Sequence, residues 1–583
     1  MRQFDRAFFR DVWRLSRPYW RSEERWSAWG LLLVIVGLTL GMVYLNVLFN
    51  TWYKEFYDAL QQLNKTAFAH ALFRFTWLAV LFIIAAVYQL YLNQMLQIRW
   101  RRWLTDHYLG EWLKDRTYYH MQVFSDGTDN PDQRISDDLS MFVRQTLTLS
   151  LGLLSSVVTL ASFIGILWTI SGSLSFHVQG RLVVIPGYMV WAALVYAVVG
   201  TWLTNRIGNP LVRLNFDQQR YEADFRFSLV RLRENSEGVA LYGGEPRERD
   251  HFMGRFGHVF GNYWRIMIQQ KRLTWFTSGY GQMAVIFPIL VAAPRFFAKQ
   301  IELGGLMQIA SAFGQVQGAL SYIVNSYADL ANWHAVVDRL RTFERNMGDI
   351  RDLRERHGSI HVEQAEALKV TGLDLRLPDG TPLLSGLSLD VAAGETLLIM
   401  GASGSGKSTL IRAIAGLWPF GSGEVQLPPR TQSLFLPQRP YLPIGTLRDA
   451  LLYPYGDPDT DPVRLQGVLE ECGLGELSGL LAESRHWAQV LSLGEQQRIA
   501  FARVFLQCPR WLYMDEATSA LDEAAEQALY RKLRTELPES AVISVGHRST
   551  LLAYHQRRLM LSRDGAWRQG GAADSVASVV WPS

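Results

Sequence analysis

The sequence predicts two unlike halves in tandem: a helical domain that crosses a membrane six times, then a soluble α/β domain. Two observations predict this. Long uncharged apolar runs fill the chain up to about Ala331, and none of comparable length follows. After Arg354 short β-rich runs alternate with helical stretches between Gly, Pro and Asp, the pattern of an α/β domain.

A helix needs about 20 apolar residues to cross a bilayer. Residues 29–48, 75–92, 147–170 and 182–203 meet that without a charge. Residues 276–294 form a fifth run, interrupted by Gly279, Gly281 and Pro288, and 306–323 a weaker sixth. Arginine then sets the orientation, because basic residues accumulate on the cytoplasmic side. They crowd the start of the chain, the Arg99, Arg101 and Arg102 cluster, and the stretch 206–272. The alternating connections 49–74, 171–181 and 295–305 hold few. Both ends of the chain are therefore expected in the cytoplasm. The arginine-rich start also lacks the short apolar core of a cleavable signal peptide.

In the sixth run Gln308, Ser311, Gln315, Tyr322 and Asn325 share one helical face. Such a stripe is either the wall of a hydrophilic cavity or polar glue between helices. No Asp or Glu falls inside any expected span, which argues against protons alone supplying work. The net charge of +4 over 583 residues points to no particular partner, and six spans weigh against a soluble protein acting on nucleic acid. Cys472 and Cys508 form no CxxC or CxxH pattern, so neither disulfide nor zinc scaffolding is expected.

The chemistry lies in the second half. The apolar run 397–400 leads directly into G-A-S-G-S-G-K-S-T at 401–409. This is a phosphate-binding loop in its strand–loop–helix context, with Gly401, Ser403, Gly404, Ser405, Gly406 and Thr409 around the phosphates. Its glycines turn backbone N–H groups toward phosphate at the positive end of a helix. Lys407 is expected on the β- and γ-phosphates of ATP, and Ser408 on Mg²⁺. A second apolar run, 511–514, ends in Asp515 and Glu516. Asp515 is expected to hold Mg²⁺, and Glu516 to polarise the attacking water.

The order of motifs resembles an ATP-binding-cassette (ABC) domain across the whole soluble half. L-S-L-G-E at 491–495 is similar to the family signature L-S-G-G-Q, with Leu493 and Glu495 as departures and with Ser492 and Gly494 intact. The resemblance implies that these two touch the γ-phosphate. It also implies that Gln438 of F-L-P-Q links Mg²⁺ and the water to the membrane domain, that Asp522 of S-A-L-D belongs to the D-loop, and that His547 is the switch histidine. The family's adenine-stacking aromatic is missing, and Leu377 stands near its place. Because the signature of one copy completes the site of another in this family, a homodimer is implied.

Three further stretches resemble particular branches. N-P-D-Q-R-I-S-D-D at 130–138 and E-N-S-E-G-V-A-L-Y-G-G-E at 234–245 are similar to SbmA/BacA-like transporters and to peroxisomal D-subfamily half-transporters. W-Y-K-E-F-Y-D-A-L-Q at 52–61 is similar to the SbmA/BacA side. The resemblance implies an exporter-like half-transporter in a bacterial inner membrane. It is expected to move peptides or other hydrophilic solutes, inward; the alternative is export of lipid, acyl or amphipathic drug-like compounds. The expected domains are a cytosolic amphipathic segment at 1–28, a membrane domain at 29–345, a linker at 346–358 and a nucleotide-binding domain at 359–583.

Overall fold

The computed structural model describes residues 6–124, 130–178 and 181–571. The chain forms two compact units. One holds Met1–Glu111 and Asp129–Glu344, the other Trp112–Thr128 and Arg345–Ser583.

The first unit is helical. An amphipathic helix, α1 (Arg6–Trp20), precedes α2 (Arg25–Gln61) and α3 (Lys65–Leu113). After α4 (Thr117–Phe124), which belongs to the second unit, come α5 (Leu139–Ser171), α6 (Tyr188–Glu234), α7 (Ser236–Tyr242), α8 (Glu245–Phe297) and α9 (Leu303–Asn325). Then α10 (Tyr327–His357) leads out of the unit. Five helical stretches are long and apolar enough to cross a bilayer. They correspond to α2, α3, α5, α6 and α8, with several running well beyond a bilayer's thickness. The sixth expected span, α9, is a helix of 23 residues, and Gln308, Gln315 and Gln317 keep it more polar than the others.

The fourth span starts later than the apolar pattern suggests. Leu182–Ile185 belong to a strand, β2 (Arg181–Pro186), paired antiparallel with β1 (Ser173–Val178). Pro186 and the left-handed Gly187 (φ 60°) end the strand, and α6 begins at Tyr188. An apolar run of four cannot by itself distinguish strand from helix.

The core of this unit gathers Phe163 and Leu167 of α5, Met189 and Ala193 of α6, Ala292 of α8, and Ile309 and Phe313 of α9. At the other end, ion pairs fasten α10. Arg339 donates two hydrogen bonds to the fully buried Asp138 carboxylate, at 2.9 and 2.7 Å, and Arg134 adds a third at 2.8 Å. Arg134 and Asp138 bound a single π-helical turn just before α5. Arg341 meets Asp11 and Glu344 meets Arg14, both at 2.8 Å, so α1 lies along the same helix.

The second unit is α/β. Residues 346–357, expected as a linker, continue α10, and Gly358 opens β3 (Gly358–Gln364). A four-stranded sheet follows in the order β3, β7 (Gly421–Leu427), β4 (Leu368–Arg376), β5 (Pro382–Val391). The main sheet has six strands. They are, in spatial order, β12 (Trp567–Gly571), β11 (Arg557–Leu561), β6 (Thr396–Gly401), β10 (Ala541–Val545), β9 (Trp511–Asp515) and β8 (Ser433–Leu436), parallel except for β12.

Its central strands are buried on both faces, so they read as continuous apolar runs. Leu397 and Ile399 face one core with Trp511, Tyr513 and Ile543, while Leu398, Leu512, Met514 and Val542 face the other. Helix α11 (Lys407–Ile414) follows β6 directly, and α12 (Leu493–Gln507) and α13 (Glu523–Glu536) flank the second core.

Asp138→Ala removes the acceptor that Arg134 and Arg339 share at a buried position. It is expected to lower the stability of the membrane unit by about 3 kcal/mol, read as a fall in the thermal unfolding midpoint in detergent. An unchanged midpoint would show that solvent serves the two guanidiniums equally well.

Candidate functional site

Parallel strands end together, and in α/β sheets the space beyond their carboxyl ends is where ligands bind. Three strand ends deliver the expected residues here. β6 runs into the 401–409 loop, β9 ends at Asp515 and Glu516, and β10 is followed by Gly546 and His547. β8 adds Gln438 two residues beyond its end.

The loop requires glycine at two tight places. Gly401 has φ 156°, and a Cβ there would stand 2.4 Å from the Leu561 carbonyl oxygen. Gly406 has φ 87°, and a Cβ would press on Leu383 at 2.9 Å. Gly404, at φ 82°, is also left-handed, but space around it is open. Lys407 Nζ donates to the Gly401 and Ala402 carbonyls at 3.0 and 2.9 Å. Burial lowers its pKa, against the pull of Glu516 and Asp515. Among the described residues Ser405 Oγ has no hydrogen-bond partner; it is buried beside Gly401, where a Cβ would stand 2.7 Å from it. Ser403 and Thr409 sit at the loop's rim and in the first turn of α11, the Ser403 carbonyl accepting from Arg563 at 3.3 Å.

Ser408 Oγ donates to Asp515 Oδ1 at 2.9 Å. Burial raises the Asp515 pKa, the neighbouring Glu516 adds to this, and the Ser408 hydrogen bond opposes it. A hydroxyl and a buried carboxylate side by side at a phosphate loop fit Mg²⁺, which takes one or two protein ligands and completes its shell with water and phosphate oxygens. A divalent ion would also reverse the burial cost on Asp515.

Glu516 is the centre of the cluster. Gln438 Nε2 donates to its Oε2 at 2.9 Å, and His547 Nε2 lies 2.9 Å from its Oε1. Its backbone is left-handed at φ 51°, a conformation that non-glycine residues avoid. The Glu516 amide donates to the Val545 carbonyl at 3.2 Å, which fixes that turn.

Three expected residues, Ser492, Gly494 and Asp522, lie elsewhere. Ser492 caps α12: its hydroxyl accepts from the Glu495 amide at 3.4 Å and donates to the Glu495 carboxylate at 2.6 Å, while its own amide donates to that carboxylate at 2.8 Å. Glu495, a departure from the signature, therefore closes a capping box. Gly494 lies in the same first turn, facing the Ala520 carbonyl. Among the described residues no hydrogen bond joins Ser492 or Gly494 to the 401–409 loop. Asp522 caps α13, accepting from the Ala525 amide at 2.7 Å. Leu377 packs against the same core as Leu383 and Phe420.

Gln497 was not singled out in the sequence. It is fully buried on α12. Its Nε2 donates to the Gln438 carbonyl at 3.0 Å and to Ser519 Oγ at 3.2 Å, and its Oε1 accepts from the Ala520 amide at 3.0 Å. One side chain thus ties the signature helix to both the Gln438 loop and the 519–522 turn.

In the membrane unit, a cavity of 650 Å³ opens between α6 and α8. Trp191, Val195, Tyr196, Phe276, Tyr280 and Phe287 line it. Tyr196 and Tyr280 stack at 4.3 Å, and each hydroxyl donates to the other's backbone carbonyl, at 2.5 and 2.8 Å. The polar stripe of α9 divides. Tyr322 Oη donates to the Leu149 carbonyl at 3.0 Å, and Asn50 donates to the Gln308 carbonyl at 3.0 Å, both as bonds between helices. Ser311 and Gln315 are half-buried and Asn325 is exposed.

Comparison with known proteins agrees with this architecture. Residues 15–297 match the family described as ABC transporter transmembrane region 2, and 384–519 match that described as ABC transporter. An ABC transporter ATP-binding protein of Synechocystis, itself uncharacterized, is 38% identical over 94% of this chain and 82% of its own length. The Escherichia coli inner membrane ABC transporter ATP-binding protein YddA is 34% identical over 91% of this chain and 94% of its own. The Arabidopsis thaliana ABC transporter D family member 2, chloroplastic, is 36% identical over 96% and 86%. The solved structure of a bacterial Atm1-family ABC exporter with ATP bound superposes with a TM-score of 0.69 at 19% identity, covering 95% of this chain and 96% of that one, a likeness of fold. With one membrane domain and one ATPase domain of exporter-like fold, the chain belongs to the ABC transporters as a half-transporter, an ATP hydrolase coupled to transport.

Proposed function

We propose that two copies of this chain form a homodimer that binds Mg²⁺ and ATP between their ATPase domains and uses hydrolysis to move an amphipathic solute across the membrane. The observation that carries the catalytic part is the Glu516 carboxylate held between Gln438 and His547 at 2.9 Å on each side. Glu516 acts as general base on the attacking water. His547 and Gln438 orient it, Gln438 and Asp515 with Ser408 hold Mg²⁺, and Lys407 with the loop amides binds the phosphates. Ser492 and Gly494 serve the partner's nucleotide, with Asp522 beside that contact, which accounts for their separation from the loop of their own chain.

For the substrate, the apolar aromatic cavity between α6 and α8 supports an amphipathic solute over the peptide or hydrophilic one expected from the sequence. Tyr322 of the polar stripe is already engaged between helices, which weakens the argument for a hydrophilic wall. A human relative, 27% identical over 93% of each chain, is named as a lysosomal cobalamin transporter, so cobalamin belongs among the compounds to test. The stretch 52–61 supports placement near the SbmA/BacA branch. The arginine distribution supports cytoplasmic termini, and the YddA relative supports an inner membrane.

In proteoliposomes of controlled sidedness, ATP should drive a labelled fatty acyl-CoA or cobalamin in preference to a labelled hydrophilic peptide; movement of the peptide alone would return the hydrophilic reading. Glu516→Gln should cut phosphate release at least about 100-fold and retain ATP in a stable dimer. Sustained turnover would remove Glu516 from the catalytic role. Gln497→Ala should lower kcat about tenfold or more by loosening Gln438, with ATP affinity nearly unchanged. Equal loss of both would make Gln497 merely structural.

A further inference from the structure

The start of α9 is held by the end of α2. Leu303 and Gly304 open the helix, and the first amides of a helix have no acceptor within it. Two side chains of α2 serve them. Gln61 Oε1 accepts from the Leu303 amide at 2.7 Å, and Asp58 Oδ1 accepts from the Gly304 amide at 2.8 Å. A cap normally comes from the residue just before the helix; here it comes from another helix, 246 positions earlier. Gly304 makes the approach possible. A Cβ there would stand 2.1 Å from the Lys54 carbonyl oxygen and 2.5 Å from Asp58 Oδ1. The seam continues to either side. Asn50 donates to the Gln308 carbonyl at 3.0 Å, where both residues are buried, and Gln62 Nε2 donates to Glu302 Oε2 at 3.1 Å, where both are exposed.

One contact in the seam joins like to like. Glu302, the residue before α9, brings its carboxyl beside that of Asp58, within hydrogen-bonding reach. An ionised carboxyl accepts hydrogen bonds and cannot donate one. Two of them therefore hold together only with a proton between them, and repel when both are ionised. With that proton Asp58 can donate to Glu302 while its Oδ1 keeps the Gly304 amide. Lys54 and Glu302 are the charges that act on Asp58. Of the others in these two connections, Glu55 is taken by Arg74 of α3 at 2.6 Å and Arg295 by the Ser171 carbonyl, while Lys65, His70 and Lys299 are exposed. The few basic residues of 49–74 and 295–305 favour the non-cytoplasmic side, so the shared proton exchanges with the outer solution.

We propose that Asp58 and Glu302 form a proton-dependent clasp between the outer ends of the first and sixth spans: acid outside holds the seam closed, and loss of the shared proton lets α2 and α9 part there. On opening, the proton passes to the outer water and both groups leave as carboxylates. The sign follows from linkage, since the closed seam binds one proton more than the open one. Closure is full at or below the ordinary carboxylate range. It weakens by up to tenfold per pH unit above that range, until the seam has given up its proton.

The test is amide hydrogen exchange on the full chain in lipid nanodiscs without nucleotide, so that its outcome is independent of the ATP site proposed above. Protection factors, which remove the intrinsic effect of pH on exchange, are compared at about pH 5 and about pH 8. In the parent, protection of residues 303–306 should fall about tenfold between the two. Asp58→Asn keeps an acceptor for the Gly304 amide and donates to Glu302 without a proton, so protection should stay high at both. Glu302→Gln should abolish the difference as well, by donating to Asp58. Asp58→Ala should leave 303–306 poorly protected at both. A merely structural cap predicts something else: the parent is equally protected at the two pH values, and the inference falls. It falls too if Asp58→Asn or Glu302→Gln keeps the pH dependence of the parent, or if Asp58→Ala is as well protected as the parent in acid.

Discussion

The geometry of the ATPase domain depends on one constraint, that β6, β9 and β10 lie parallel and in register. In that register Leu397 pairs with Ile543, which pairs with Tyr513. The strands therefore end at one level, and their next residues are the loop glycine, the two carboxylates and the histidine. No side chain at the site has to reach far. The apolar alternation buries both faces of the sheet, fixes the register, and so places Glu516 within hydrogen-bond distance of His547, 31 positions away. A slip of one residue in β9 would move Met514 and Asp515 each to the face it does not now occupy, which is why the core residues matter to chemistry they never touch.

A separate local constraint fixes Ser492, in another part of the domain. Ser492 is tied into a capping box by Glu495, and its amide and hydroxyl both converge on that carboxylate. A glutamine at this position would give a weaker, uncharged cap. Glu495 thereby makes the amino end of α12 rigid, and its pKa is lowered by the Ser492 hydrogen bonds. In the homodimer proposed above, a carboxylate beside Ser492 would disfavour the partner's γ-phosphate until that hydroxyl turned from one anion to the other.

Much of this was legible in the sequence, for physical reasons that differ by element. The phosphate loop is legible because left-handed turns need glycine and phosphate needs backbone N–H groups. The spans are legible because a bilayer demands length without charge. The hairpin of β1 and β2 was hidden because Leu182–Ile185 are as apolar as a span, and only Pro186 and Gly187 mark the break. The helical path of 346–357 was hidden because a charged solvated helix and a linker share a composition. The contacts of Gln497 and Asp58 were invisible for a deeper reason. A glutamine inside a helix and an aspartate near the end of one are ordinary surface residues until the tertiary structure buries the first and brings a helix terminus to the second.

The ion pairs on α10 show how position decides what such contacts do. Arg14 and Glu344 are 59% and 37% exposed, so solvent competes for both, and the pair contributes at most about 1 kcal/mol. Asp138 is 0% exposed, and a buried carboxylate cannot trade its partners for water. Near Arg339 any motion of α10 must carry the π-helical turn at 134–138, and with it the start of α5. The pair at Glu344 can break and reform at little cost, but Arg341 holds Asp11 of α1, a carboxylate that is itself buried. Motion of α10 is therefore passed to α5 through Asp138 and to α1 through Asp11, because neither carboxylate can trade its partner for water.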